Sequence, residues 1–252
     1  MDFDISHLLE NWDYKPGQVV VRQFKGRDGK DKIQLRVDLG LLQMNAEGRP
    51  DGKQPFGHPS LFEYYQAKLC KHLAGDGSAD DFKLKAEDCS KLQLEALQYH
   101  HRYICLLQLA DYPGVIRDAE RNLAVFDFVG KHAQSEEQAW TLRQFQPQLL
   151  MILTRARAMQ SLDADDYTAA IEHVERGIED IRAFYREHSR SDLIEPSGEV
   201  QSLESWLAEV RASRPLSARE KLERALSDAV KEEDYEEAAR VRDALRDLEA
   251  EK

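Results

Sequence analysis

The chain has 252 residues, 42% hydrophobic and 33% charged, with 35 Lys and Arg against 47 Asp and Glu for a net charge of −12. That balance excludes the concentrated basic face on which nonspecific phosphate-backbone binding depends, so direct nucleic-acid binding is not expected. No run of about eighteen apolar residues is present, which excludes a membrane helix, and three scattered cysteines (Cys70, Cys89, Cys105) fit a reducing compartment better than a disulfide scaffold.

The N-terminal stretch is acidic and lacks the basic and apolar regions of a secretory leader, so a cytoplasmic location is expected. Phe3, Ile5, Leu8, Leu9 and Trp12 mark a short helix or packed arm, broken at Pro16-Gly17. The strand signals are Gln18 to Phe24, rich in Val, and Lys32 to Leu42, in which Ile33, Leu35, Val37 and Leu39 alternate with polar residues. Asp28-Gly29 between them is a favoured hairpin turn, and Gly40 marks a bulge or bend. Lys25, Arg27, Lys30 and Lys32 around that turn are interleaved with Asp28 and Asp31, and their spacing does not match a phosphate-binding loop. Residues 45–59 are dense in Gly and Pro and read as an ordered connection.

From Leu61 the period changes to that of helices. Leu61, Phe62, Tyr65, Leu69 and Leu73 form one stripe. A longer helix is predicted from Asp80 or Asp81 to Leu109 through Leu92, Ala96, Tyr99 and Tyr103. A weak repeat follows, in which Asp111-Tyr112, Asp166-Tyr167 and Asp234-Tyr235 each precede an apolar helical run. The middle unit is loosely similar to tetratricopeptide-type helical hairpins, without their full pattern of Trp, Gly and Pro. Val200 to Val210 reads as a short helix, and Arg214 to Ser217 as a linker whose Ser217 caps the next helix.

Little in the chain carries catalytic chemistry. There is no CxxC, no HExxH and no cluster of Cys and His at zinc spacing, so no metal or cofactor is expected. His101 and Cys105 share a helix face, but two ligands do not make a structural zinc site. No nucleophile elbow is present, and the abundant carboxylates read as solvated helix faces paired with Lys and Arg. The loop at 48–59 has two readings: a structural crossover, or a binding loop offering Arg49, Lys53 and His58.

The last segment, 218–252, is the clearest pattern. Leu222, Ala225, Leu226 and Ala229 lie on one helix face, and Ala238, Val241, Ala244, Leu245 and Leu248 on another. Asp234 is placed to cap the second helix and Glu236 and Glu237 to complement its dipole. Tyr235 is expected to plug the open end of the hairpin. Through Leu222-Glu223, Leu226, Ala229, Tyr235-Glu236, Ala238-Ala239, Arg242-Asp243, Leu245 and Leu248, the segment resembles the UVR motif shared by the UvrB and UvrC excision-repair proteins. The family more often has Phe at the position of Tyr235 and Met at that of Leu226. The resemblance implies a helical docking hairpin that pairs with another copy in a partner. Some UVR-bearing regulators, such as McsA-like proteins, carry paired CxxC motifs that this chain lacks.

The expected fold is therefore mainly α. A small N-terminal β-hairpin with its Gly/Pro loop (1–59) leads into a body of antiparallel helix hairpins (60–212) and then the UVR-like hairpin (218–252). The expected function is a non-enzymatic, cytoplasmic, bacterial adaptor. It would bind another protein, a UVR-bearing one or itself as a homodimer, through Leu222, Leu226, Ala229, Tyr235, Ala238, Ala239, Arg242 and Leu245. Excision repair and stress or proteolysis regulation are the processes the resemblance implies. The competing reading is an enzyme or ligand-binding protein with its site between the β-hairpin, the 48–59 loop and the helices. The hairpin could also pack in cis as a final repeat.

Overall fold

The computed structural model describes residues 4–75, 77–216 and 218–250. Phe3 and the expected cap Ser217 fall outside these. The architecture is mainly α, and the chain divides into two compact units, Met1–Leu207 and Ala208–Lys252. No helix among the described residues is long and apolar enough to cross a membrane.

The first unit opens with a single-turn helix α1 (Ser6–Leu9) and an antiparallel sheet of β1 (Val21–Lys25), β2 (Asp31–Val37) and β3 (Gly40–Asn45), in the order β1-β2-β3. The sheet has one strand more than the hairpin expected from the sequence. The long alternating run folds back at Asp38-Leu39, so that Val37 faces Gly40 and Leu35 faces Leu42. A two-residue turn shifts the phase of the alternation, so the odd positions Ile33 and Leu35 before it share a face with the even positions Met44 and Leu42 after it. Leu39 sits at the tip, 91% exposed. Ile33 and Met44, paired across the strands, face the core.

Helices α2 (Leu61–Ala74), α3 (Ala86–Gln108), α4 (Tyr112–His132), α5 (Glu136–Arg143), α6 (Gln146–Asp163) and α7 (Tyr167–Glu187) follow, packed largely as antiparallel pairs. α3 starts later than its polar N-terminal signal suggests. Residues before it run extended because Leu84 is buried and its N–H donates to His132 O at 2.8 Å, pairing this segment with Ala133. α6 and α7 approach closely at Gly177, where any Cβ would meet Thr154 Oγ1 at 2.0 Å. The boundary between the units falls within α8 (Gly198–Ser213). Its first half is held in the first unit by Arg155, which donates to Ser202 Oγ at 2.8 Å and lies over the Trp206 ring.

The second unit contains the antiparallel pair α9 (Ala218–Lys231) and α10 (Tyr235–Ala250). Its turn has the same construction as the α3–α4 and α6–α7 turns. Ala110, Asp165 and Glu233 each take a left-handed conformation, with φ of 56°, 57° and 59°. The next residue, always Asp, donates its N–H back to the preceding helix at 2.9 Å: to Leu106 O, Ser161 O and Ala229 O. This closes the C-terminal carbonyls of one helix. The same Asp then caps the next helix, its Oδ1 accepting from Gly114, Ala169 and Glu237 N–H at 3.0, 2.9 and 3.0 Å. Consecutive helices are thereby reversed with one residue serving both ends.

Candidate interaction surface and the anchored loop

In the terminal hairpin, small residues set the distance between the helices. Ala229, Ala238 and Val241 are buried, whereas Leu222, Leu226, Leu245 and Leu248 are half-buried. Ala239 and Arg242 are exposed, and Arg242 donates to its neighbour Asp243 Oδ1 at 2.9 Å. The interior therefore holds Ala229 and Ala238 of the eight positions singled out from the sequence. Asp234 caps α10 as expected, and Glu236 and Glu237 occupy its first turn. Tyr235 does not plug the hairpin: it is 70% exposed, and Val230 at the end of α9 is 52% exposed. The equivalent tyrosine of the α3–α4 turn, Tyr112, is 8% exposed and belongs to the main core. The same turn thus presents a core side chain in the body and a solvent-facing ring in the terminal hairpin.

The loop between β3 and α2 is tied down by buried charges. Glu95 on α3, 1% exposed, accepts from Leu61 N–H at 2.7 Å and Phe62 N–H at 3.2 Å at the start of α2. It also accepts from Arg49 Nε of the loop at 2.9 Å and from Arg121 of α4. Arg102, also 1% exposed, grips Asp118 through Nε and Nη2 at 2.6 and 2.8 Å. Its Nη1 donates to the carbonyls of Asn45 and Gly48 at 3.0 and 2.7 Å. Arg117 donates to Glu47 at 2.8 Å and to Ala46 O at 3.1 Å. Buried charges are tolerated when paired and hydrogen-bonded in this way.

This network was hidden among the carboxylates and guanidines read from the sequence as solvated faces. The available signal was position: Glu95 and Arg102 sit three residues beyond Leu92 and Tyr99, on the apolar stripe of α3. Of the three loop residues, Arg49 is committed to Glu95 and Asp51. Lys53 is exposed, and its N–H donates to Asp51 Oδ1 at 2.9 Å. His58 lies edge-on to Tyr64, with ring centres 5.5 Å apart. It lines an open groove of about 720 Å3 together with Lys68, Lys71, His72 and Phe82, and neither Arg49 nor Lys53 is among the lining residues. A second groove, about 440 Å3 and mostly apolar, lies between α3, α4 and α5, where Leu94, Leu97 and Phe145 remain exposed.

Burial pushes the Cys89 thiol upward and the Cys105 thiol to about 12, which leaves both protonated near neutral pH. Burial lowers the His100 and His101 imidazoles, with each other's proximity adding to the effect on His100. His100 Nδ1 shares a 2.7 Å hydrogen bond with the Tyr103 hydroxyl. Among the described residues, no three His, Cys, Asp or Glu side chains are placed to hold a metal ion.

The hairpin defines a class of segment before it defines a protein. Residues 218–251 match the UvrB/uvrC motif, UVR, so the resemblance read from Leu222 to Leu248 is established for the C-terminal segment and confined to it. That motif mediates protein–protein contacts in UvrB and UvrC. No curated protein and no solved structure matches the chain.

Proposed function

We propose that the protein is a non-enzymatic adaptor, cytoplasmic and bacterial, that binds another protein through its UVR hairpin. One observation carries this reading. The UVR segment leaves Tyr235 and Val230 in solvent and Leu222, Leu226 and Leu245 half-covered, which is the apolar seam that a second helical hairpin would close. Fixed apolar positions supply the affinity, and the acidic turn with Arg242 sets the register. The partner is a UVR-bearing protein, or a second copy of this chain. Excision-repair proteins and UVR-bearing stress regulators are the partner classes that the motif suggests. The loose tetratricopeptide likeness of the body suits a scaffold role. Support for a non-catalytic reading comes from Glu95, the most buried carboxylate beside the loop, whose two oxygens are already occupied by two backbone N–H groups and two guanidines.

The test is association of the full chain, measured by light scattering and by pull-down with UvrB- and UvrC-type proteins. Leu226→Asp abolishes association while the helical signal of the body is retained. Tyr235→Ala, at a side chain too exposed to hold the hairpin together, weakens it by about tenfold or more, the effect of losing an interfacial aromatic anchor. Association of both variants equal to that of the parent chain would overturn the proposal.

A further inference from the structure

The groove of about 720 Å3 on α2 is unlike the rest of the surface. Its lining is His58, Tyr64, Ala67, Lys68, Lys71, His72, Gly75 and Phe82, which includes two lysines, two histidines and no carboxylate, in a chain of net charge −12. Lys68 and Lys71 are exposed and form no ion pair among the described residues. Lys68 Nζ instead stands 5.6 and 5.4 Å from the centres of the Tyr64 and Tyr65 rings. Asp81, the carboxylate that acts on His72, is hydrogen-bonded to Ser78.

An aromatic shelf borders these cations. Phe56 stacks on Tyr64 with ring centres 4.4 Å apart and 26° between planes, and His58 meets the same ring edge-on. Phe56 remains 68% exposed. Its backbone is also left-handed, with φ 52° and ψ 27°, a conformation that bulky L-residues avoid. Packing does not repay that strain, because the ring is mostly in water. Such outliers persist where the surroundings impose them, and they concentrate at ligand clamps. Here the surroundings are rigid: the loop before Phe56 is fastened by Arg49 and Arg102, and the helix after it by Glu95.

We propose that this groove docks a short acidic peptide segment of a partner protein, one that carries an aromatic side chain. Lys68 and Lys71 would take its carboxylates, and the aromatic residue would lie on Phe56. Charge complementarity identifies the occupant. Four cationic or protonatable groups without a carboxylate among them favour an anion, while the net charge of the chain opposes the approach of a long polyanion more than that of a short peptide. The proposal stands independently of the hairpin reading and gives the protein a second interaction surface.

The test is fluorescence anisotropy on the full chain, with a labelled heptapeptide of Glu and Asp around a central Tyr, a basic heptapeptide of the same length, and a labelled oligothymidylate. The acidic peptide binds saturably and the basic one does not. Lys68→Glu with Lys71→Glu weakens binding by about tenfold or more. Phe56→Ala weakens it severalfold, and Leu226→Asp leaves it unchanged, which separates this site from the hairpin. Lys68 and Lys71 of the groove and Phe56 at its border are exposed, and circular dichroism checks that the fold is kept. Absence of saturable binding, equal binding by the double variant, or tighter binding of the oligothymidylate would each overturn the proposal, the last by assigning the groove to nucleic acid.

Discussion

Glu95 is a side chain whose loss should disturb the first unit strongly. Glu95→Ala removes an acceptor that serves Leu61 N–H, Phe62 N–H, Arg49 and Arg121. Phe62 N–H keeps Ser60 Oγ at 3.1 Å, but Leu61 N–H loses its partner. Arg121, with its side chain only 14% exposed, is left without its anion, and Arg49, 10% exposed, keeps only Asp51. Breaking a buried pair in this way costs about 3–5 kcal/mol. At about 2–4 °C per kcal/mol for a unit of this size, the thermal midpoint of the first unit falls by about 6–20 °C. Glu95→Gln keeps the volume and one acceptor oxygen but turns an amide NH2 towards a donor. It should cost roughly half as much, near the 1.5–3 kcal/mol value of a hydrogen bond to a charged group. Calorimetry of the full chain gives the midpoint, and hydrogen exchange over residues 46–62 locates the damage. A fall of less than about 2 °C for Glu95→Ala, with loop amides as protected as before, would refute the view that this carboxylate fastens the loop.

Glu233→Gly relieves a left-handed non-glycine turn and should stabilise the terminal hairpin by about 0.5–1 kcal/mol; slowed exchange of α9 and α10 amides checks this, and unchanged or faster exchange counts against it. In the native protein Cys70, which is exposed, reacts with a thiol reagent, while Cys89 and Cys105 react only on unfolding; titration of more than one thiol per folded chain would contradict the burial assigned to them. The lowered His100 and His101 pKa values make stability depend on pH. Because the unfolded imidazoles take up protons first, their contribution is complete above about pH 6.5 and is lost as the pH falls through the folded-state values. The thermal midpoint should therefore drop between about pH 7.5 and 5.5, and His100→Gln should flatten the slope; a midpoint that rises on acidification would refute the sign.

Helices α2, α4, α7 and α8 were legible from the sequence because each carries an apolar stripe, whereas the short α5 was not predicted, and the Asp-Tyr turns were legible because capping is local chemistry. The split of the second strand was only partly legible: Gly40 marked a bend, but the change of phase at Asp38-Leu39 was masked because Leu41 and Leu42 are apolar at both parities. The start of α3 was misplaced because Leu84 is drawn into an extended pairing with a segment fifty residues away, a tertiary effect that propensity does not encode. The buried charges were missed for a related reason. Glu95, Arg102 and Asp118 look like ordinary surface residues until three elements bring their partners together. In the terminal hairpin, residue spacing identified the motif and its seam but overestimated how much of that seam the hairpin covers itself.

The last point bears on what the hairpin does. Two helices can bury only one face each, and among the described residues of the hairpin the buried positions are Ala229, Ala238 and Val241. Small side chains permit close approach but remove little apolar area from water, and area is what stabilises short helices that are marginal alone. The residues able to supply more area, Leu222, Leu226, Leu245 and Leu248, are only half-buried. Tyr235 sits in solvent at a position where the equivalent Tyr112 of the body is core. A hairpin built for self-sufficiency would exchange these features: large residues inside, a polar residue after the capping Asp. The observed order leaves apolar area that a partner hairpin could cover, so binding and stability of this segment are coupled. Hairpin amides should therefore gain protection in proportion to partner occupancy. Protection that is already complete in the isolated chain would contradict this coupling.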